Sequence, residues 1–330
     1  MAYTNAAVEF RPELQAKVEE AQSVDNAFIG DAIFPVFPVQ TRKGYYKRIK
    51  RGKGQLMANP GGTTAATDPL KRAPGTKYPE ITRTTEQDSW LTVDRGLTEK
   101  IDDVNKQEES RFFDLEASTA VWLHRNMRIS REVRIAAQVF SESNWTTSNT
   151  IDGTAYSETN IATINFVKDL EYAKGIIEKR GESVNSIVMS RTMWSLIRRS
   201  TLLRNYMVGA NAGNAVITPQ MFQAEFGLQL LVGRASYDTT KTGKDSSDSN
   251  LVWTWSDDYF WVGNVTGGAP EMGGAGRTVV LDELTSGQLF LTESWYDQEI
   301  RSTVIRVRED DDIKIVNELC GYLTKINSLS

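Results

Sequence analysis

Arg42-Lys43-Gly44-Tyr45-Tyr46-Lys47-Arg48-Ile49-Lys50-Arg51-Gly52-Lys53-Gly54 is followed five residues later by Asn59-Pro60-Gly61-Gly62-Thr63-Thr64. The Asn-Pro-Gly-Gly cluster is a strong turn signal, because proline presets one turn dihedral and glycine accepts the left-handed region. On both sides the chain favours extended backbone yet carries too few apolar residues to bury a core of its own. Thr41 to Ser89 therefore reads as a long hairpin projecting from the body. At about 3.3 Å per residue, arms of roughly 15 to 20 residues reach about 50 to 65 Å. A two-stranded ribbon of this kind is marginal alone in water, so it needs a neighbour to lie on.

Charge sets the same stretch apart. Thr41 to Lys77 holds ten Lys and Arg against one acid, Asp68; that net of +9 leaves −14 for the rest of a chain whose formal net charge is −5. Lys and Arg interleaved with Tyr45 and Tyr46 suit phosphate contact and base stacking. No recognition helix or RNA-binding signature accompanies them, however, and the chain as a whole is acidic. Docking on an acidic neighbour is the favoured reading of the hairpin, with non-specific nucleic-acid binding as the alternative.

Working outward, a short helical candidate from Pro12 to Ala21 precedes Ile33-Phe34-Pro35-Val36-Phe37-Pro38-Val39. The two prolines exclude a helix and, lacking amide donors, a central strand, so residues 1–40 read as an arm laid along another surface. Past the hairpin, Phe112, Leu115, Trp122, Ile129, Val133, Ala136 and Phe140 fall on helical spacing, interrupted by Thr119 and Asn126. They predict a spine helix from Glu108 to Ser143, about 50 Å long, with Glu108, Glu109 and Asp114 at its positive end. After a polar loop to Thr163, helices alternate with strands. Thr163 is a cap for a helix ending at Gly181, Ser183 to Met189 a strand, and Ser190 a cap for the helix holding Trp194, Leu196 and Ile197. Thr218-Pro219 opens a further helix that Gly227 closes before Leu228 to Val232. Leu251 to Trp255 and Tyr259 to Val262 are strand candidates. Glu299 to Arg308, a turn at Asp310-Asp311-Asp312, and Ile313 to Val316 predict a closing antiparallel pair. The fold class is α+β.

Catalytic and metal chemistry is sparse. With one cysteine, Cys320, and one histidine, His124, neither an intramolecular disulfide nor a His/Cys zinc site is available. Cys320 reads as a packed thiol and His124 as an imidazole on the helix surface, which leaves a Ser or Cys triad without a base. Gly52-Lys53-Gly54 lacks the context of a dinucleotide loop, and no G-x-x-x-x-G-K-[ST] occurs. No cofactor is expected. The remaining enzymatic reading is a carbohydrate site built from Glu271, Asp282 and Glu283 beside Trp253, Trp255 and Trp261, although alternating strand tryptophans more commonly pack a core. No basic segment followed by an apolar run opens the sequence and no 18-residue apolar stretch occurs, so neither a signal peptide nor a membrane span is expected.

An N-terminal arm, a projecting hairpin, a spine helix, an α+β middle and a returning antiparallel sheet, with Thr292-Glu293-Ser294-Trp295-Tyr296-Asp297 leading into Ile300 to Val307 and Asp312 to Ile315, form a combination that resembles the major capsid proteins of tailed double-stranded DNA phages, the Hong Kong 97 fold. The resemblance spans almost the whole chain. It implies an N-terminal arm at 1–40, an E-loop at 41–89, a peripheral domain from 90–163 and 289–330 that includes the spine, and an axial domain at 164–288. It implies a structural protein without catalytic activity, which assembles as hexamers and pentamers into an icosahedral shell. Implied partners are further copies of itself, portal and head-accessory or decoration proteins, and packaged double-stranded DNA touched without sequence specificity. The implied location is the virion capsid, assembled in the host bacterial cytoplasm, with no membrane association. Arg42, Lys43, Lys47, Arg48, Lys50, Arg51 and Lys53 are the expected E-loop contacts between subunits. Glu309, Asp310, Asp311 and Asp312 match the loop that the family places near local three-fold contacts. No N-terminal scaffolding segment and no lysine–asparagine cross-linking pair is identifiable. An encapsulin nanocompartment is the alternative within the same fold.

Overall fold

Alternate residues of the same strands feed two different cores, and this alternation organises the molecule. The computed structural model describes residues 9–11, 13–17, 27–49, 72, 74–78, 85–109, 114–145, 148–151, 156–209, 215–240, 250–282 and 289–326. The chain opens with β1 (Glu9–Phe10), a short helix α1 (Gly30–Ile33) and β2 (Val36–Val39). β3 (Lys43–Ile49) and β4 (Thr85–Leu91) pair antiparallel as a two-stranded sheet of their own, and β5 (Val93–Asp102) runs on from β4. Next come α2 (Asp103–Glu109), α3 (Leu115–Val139) and β6 (Ser148–Ile151). The middle of the chain holds α4 (Phe166–Lys179), β7 (Ser186–Ser190), α5 (Arg191–Ile197), α6 (Thr201–Val208), α7 (Pro219–Phe226) and β8 (Gln229–Gly233). A second ribbon, β9 (Ser236–Asp238) and β10 (Leu251–Trp253), precedes β11 (Tyr259–Gly263) and β12 (Gly276–Leu281). β13 (Leu291–Asp297), β14 (Ser302–Ile315) and β15 (Gly321–Ile326) follow.

The first large sheet runs β1-β13-β14-β12-β2, with β5 also on β14. β14 is long enough to serve several neighbours: β13 lies along one side, β5 along the other as far as Asp311, and β12 from Asp311 to Ile315. β2 is outermost, parallel to β12, an edge position where Pro38 costs no ladder bond. The second sheet runs β6-β15-β11-β7-β8. Ile187, Met189, Phe260, Val262 and Tyr322 enter the core under α4 to α7, with Phe166, Leu170, Leu203 and Phe222. The intervening Val188, Trp261 and Leu323 enter the opposite core, with Trp145, Trp255, Cys320 and the C-terminal half of α3. A third cluster joins the N-terminal half of α3 to the first sheet through Leu123, Met127, Phe290, Ile305 and Val307. Each such buried aliphatic side chain contributes roughly 1.5 to 3 kcal/mol.

Several expectations are met and others corrected. Ser190 Oγ accepts from Met193 N at 3.2 Å, Thr218 Oγ1 from Met221 N at 3.3 Å, and Gly227 closes α7 at φ 66°. α4 is capped by Asn165, which accepts from Lys168 N at 3.2 Å, and not by Thr163, whose hydroxyl donates to Asn160 O. The spine is two helices: Asp114 starts α3 afresh by accepting from Ala117 N at 3.2 Å, so α3 is 25 residues and about 38 Å long. Its stripe is also rotated. Thr119, Leu123, His124, Met127, Arg131, Glu132 and Ile135 face inward while Trp122 is 57% exposed; Phe112 lies outside the described residues. The turn expected at Asp310-Asp311-Asp312 is continuous strand β14. The division at Gln288 is crossed in both directions: β12, from the 164–288 range, joins the first sheet, and β15, from the 289–330 range, lies inside the second.

Candidate inter-subunit interface

The root of the hairpin is fixed by one aromatic stack. A Cβ on Gly44 would lie 2.1 Å from the Trp90 ring, so only glycine lets the indole lie flat across the strand. Tyr46 stacks on Trp90 at 6.3 Å and donates its hydroxyl to Asp88 Oδ2 at 3.1 Å, while Trp90 Nε1 donates to Thr41 O. Alternation along the strands then sends Lys43, Tyr45 and Lys47 to the other face, opposite Leu91, Ser89 and Gln87. Tyr45 is 60% and Leu91 59% exposed. This outward face is basic and apolar, with no carboxylate among its six residues. Arg48 lies in β3; Lys50, Arg51, Lys53 and the Asn59 to Thr64 turn lie outside the described residues. Arg42 departs from the expectation, because its Nη2 turns inward to Asp310 Oδ2 at 2.9 Å.

Glu309 to Asp311 are buried in the chain's own sheet. Strand period two puts Glu309 and Asp311 on the face toward α3, and Asp310 and Asp312 on the face toward the hairpin root. Arg134 grips Asp311 at 2.8 and 2.9 Å and also bonds Glu309; Arg95 reaches Asp311 Oδ1 at 2.6 Å. Arg131 spans from Asp31, at 3.1 Å, toward Glu309, at 4.0 Å. On the other face Asp312 accepts from Leu91 N at 2.9 Å and lies 3.4 Å from Lys314 Nζ. The run therefore orients the hairpin root against the spine. An acid-rich string reads as a turn only while its charges need water; here guanidinium groups of the same chain replace that water. Burial, and then Asp311, push the Glu309 carboxyl up to about 7, against the pull of the three arginines.

Three further groups were hidden from the sequence. Glu132 accepts from Ile29 N at 2.9 Å, Gly30 N at 2.8 Å and Trp255 Nε1 at 2.7 Å, tying α3 to α1 and to the second core. Burial raises its carboxyl above the usual range despite these donors. Arg277 is fully buried and donates to the carbonyls of Gly267, Gly268, Gly273 and Gly276, so the glycine-rich segment is wrapped around a guanidinium. His124 is not a surface imidazole: it packs edge-on to Phe290 at 4.4 Å, and burial, then Arg128, lower its pKa to about 3. Cys320 is packed as expected. Trp255 and Trp261 are fully buried, which dismantles the sugar platform, and Glu283 lies outside the described residues. Among the described residues, no group of three or more His, Cys, Asp or Glu is placed to hold a metal ion, and no helix is long and apolar enough to cross a membrane.

No family model and no curated protein matches the sequence. Solved structures do match. A phage-related protein from Bordetella bronchiseptica superposes with a TM-score of 0.67 at 20% identity, over 97% of each chain. The capsid of cyanophage P-SCSP1u gives 0.59 at 12% identity, over 92% of this chain and 89% of that one. A virus-like particle from Pyrococcus furiosus gives 0.54 at 9% identity, over 96% and 97%. With superposition over nearly the full length, the chain has the Hong Kong 97-like fold of bacteriophage capsid structures.

Proposed function

We propose that this chain is the major capsid subunit of a tailed phage, assembling in the host cytoplasm into hexamers and pentamers that close an icosahedral shell around double-stranded DNA. The observation that carries this reading is the near full-length likeness to capsid chains, combined with a hairpin root whose basic outer face is exposed among the described residues. In a shell, each surface binds a different surface on the next copy, and many modest contacts sum through multivalency. Lys43, Lys47, Arg48, Lys50, Arg51 and Lys53 are then contacts to an acidic or apolar neighbouring surface, and Arg42 sets the direction in which the hairpin leaves. Portal and decoration proteins are the further partners of such a shell.

Electron microscopy of the purified chain tests this directly. Closed particles with five- and six-fold rings are expected; a 37.0 kDa monomer at every concentration and salt refutes the reading. The likeness to the Pyrococcus furiosus particle favours a second reading, a shell without a genome. Nuclease-protected DNA inside particles from the native source separates the two.

A further inference from the structure

The guanidinium of Arg131, in α3, lies between two carboxylates that belong to different parts of the fold. Its side chain is 3% exposed, and none of its three nitrogens finds a hydrogen-bond acceptor among the described residues. Nη2 lies 3.1 Å from Asp31 Oδ1 in α1, and Nη1 lies 4.0 Å from Glu309 Oε2 in β14. The Phe290 ring, 5.8 Å from the guanidinium carbon, forms a third wall. Glu309 gives Oε1 to Arg134, whereas Oε2, the oxygen nearer Arg131, accepts no hydrogen bond among the described residues. The 4.0 Å gap is too long for a hydrogen bond, and a movement of about 1 Å closes it.

Three arginines and three acids meet here: Arg131 and Arg134 from α3 and Arg95 from β5 face Asp31 from α1 and Glu309 and Asp311 from β14. The charges balance only when all three acids are ionised. Asp311 is held by Arg134 and Arg95, which leaves Arg131 to be shared between Asp31 and Glu309. While Glu309 is protonated, Asp31 is the stronger partner. Once Glu309 ionises the preference reverses, because its side chain is 1% exposed and cannot be hydrated, whereas that of Asp31 is 39% exposed and can. A buried charge left without its partner costs far more than one of an exposed pair. Two further titratable groups lie on the buried face of α3. His124 stays neutral, its pKa lowered to about 3. Glu132 holds Ile29 N and Gly30 N, so its own protonation loosens α1 as pH falls, the opposite sense to Glu309.

We propose that Arg131 is a two-position clamp, which ties α1 to the spine while Glu309 is neutral and swings to Glu309, releasing α1, when that carboxyl ionises. α1 leads into β2 and then into the hairpin root, so the clamp governs how firmly this stretch of chain lies on the spine. The device belongs to a single subunit and operates whether or not copies assemble into a shell.

Hydrogen exchange of the full-length chain tests it through Ile33 N and Phe34 N, which donate to Ile29 O and Gly30 O and close α1. With Glu309 titrating at about 7, roughly one-tenth of it is ionised at pH 6 and roughly nine-tenths at pH 8. If pairing with Arg131 makes the carboxyl about tenfold more acidic, protection of both amides falls about fivefold between those two pH values, after correction for the intrinsic rate of exchange. Glu309→Gln, which keeps the neutral form at every pH, is expected to hold the pH 6 protection at pH 8. Asp31→Asn, at a half-exposed position that tolerates the change, is expected to give low protection at both. Wild-type protection that is flat between pH 6 and pH 8 overturns the clamp, as does a fall that persists in Glu309→Gln. Protection that rises with pH assigns the control of α1 to Glu132, and Asp31→Asn amides protected as in wild type show that Arg131 does not hold α1; either result also overturns it.

Discussion

Replacing Glu132 with alanine removes the acceptor for three buried donors at once: Ile29 N, Gly30 N and Trp255 Nε1, at 2.7 to 2.9 Å. A buried donor left without a partner costs about 1 to 3 kcal/mol. Part of the sum is offset because a carboxylate held up by burial no longer has to be desolvated. A net loss of about 3 to 5 kcal/mol is therefore expected, in line with removing one partner of a buried charged cluster. That is a large fraction of the roughly 5 to 15 kcal/mol available to a folded domain. Glu132→Gln separates geometry from charge. Its carbonyl oxygen keeps Ile29 and Trp255, while its amide nitrogen faces the Gly30 N–H and loses that bond, for about 1 to 3 kcal/mol. Urea unfolding of the unassembled subunit, followed by tryptophan fluorescence, should rank wild type above Gln above Ala. If both variants unfold within about 0.5 kcal/mol of wild type, the three-way junction does not hold the spine.

Glu309 has a folded-state pKa of about 7 against 4.5 for the free side chain, so its favourable contribution is full below pH 4.5 and lost as pH rises through 7. Relative to wild type, Glu309→Gln should gain about 3 kcal/mol between these limits, and a pH-independent difference in unfolding midpoint contradicts the assignment. Gly44→Ala drives a methyl into the Trp90 ring; a red-shifted Trp90 emission and loss of particles are expected with the body still folded, and unaltered particles count against the stack. Arg277→Met strips four carbonyls of their donor and should open residues 267–276 to limited proteolysis, which an unchanged digestion pattern excludes. Single alanine changes at Lys43 or Lys47 should be tolerated, since exposed pairs contribute about 0 to 1 kcal/mol. Reversing Lys43, Lys47, Lys50 and Lys53 together to Glu should block assembly of a folded monomer. Normal particles that fail to bind DNA would instead favour the nucleic-acid role.

The paired root of the hairpin, Lys43–Ile49 on Thr85–Leu91, was legible because composition alone made the stretch anomalous, with ten cations and no core; its turn lies outside the described residues. Helix caps at Ser190 and Thr218 were legible because capping is local. The inward face of α3 was not, because Arg131, Glu132 and His124 occupy it, and a reading that follows apolar spacing assigns charged residues to solvent. The same blindness made a turn of Asp310 to Asp312; their arginine partners lie 177 and 216 residues away for Asp311 alone. Spacing did hold the signal: Glu309 and Asp311 share a strand face, and Arg131 and Arg134 share a helix face. Their approach across the chain did not show in either. Arg277 was lost in a glycine-rich segment that read as low complexity, and the exchange of β12 and β15 across Gln288 was not legible because strand exchange between sheets leaves no local trace.

β15 lies between β6 and β11, yet its residues come last in sequence among the five strands of that sheet. While the chain is being made, four strands must wait with two unpaired edges, β6 on one side and β11 on the other, until Gly321 to Ile326 emerge. Trp145 and Trp261, which pack against Gly321, have no floor before then. An interrupted translation product therefore lacks a keystone, not merely a tail, and cannot offer a neighbour a finished surface. If the chain builds the proposed shell, such late closure would keep out subunits that lack β15.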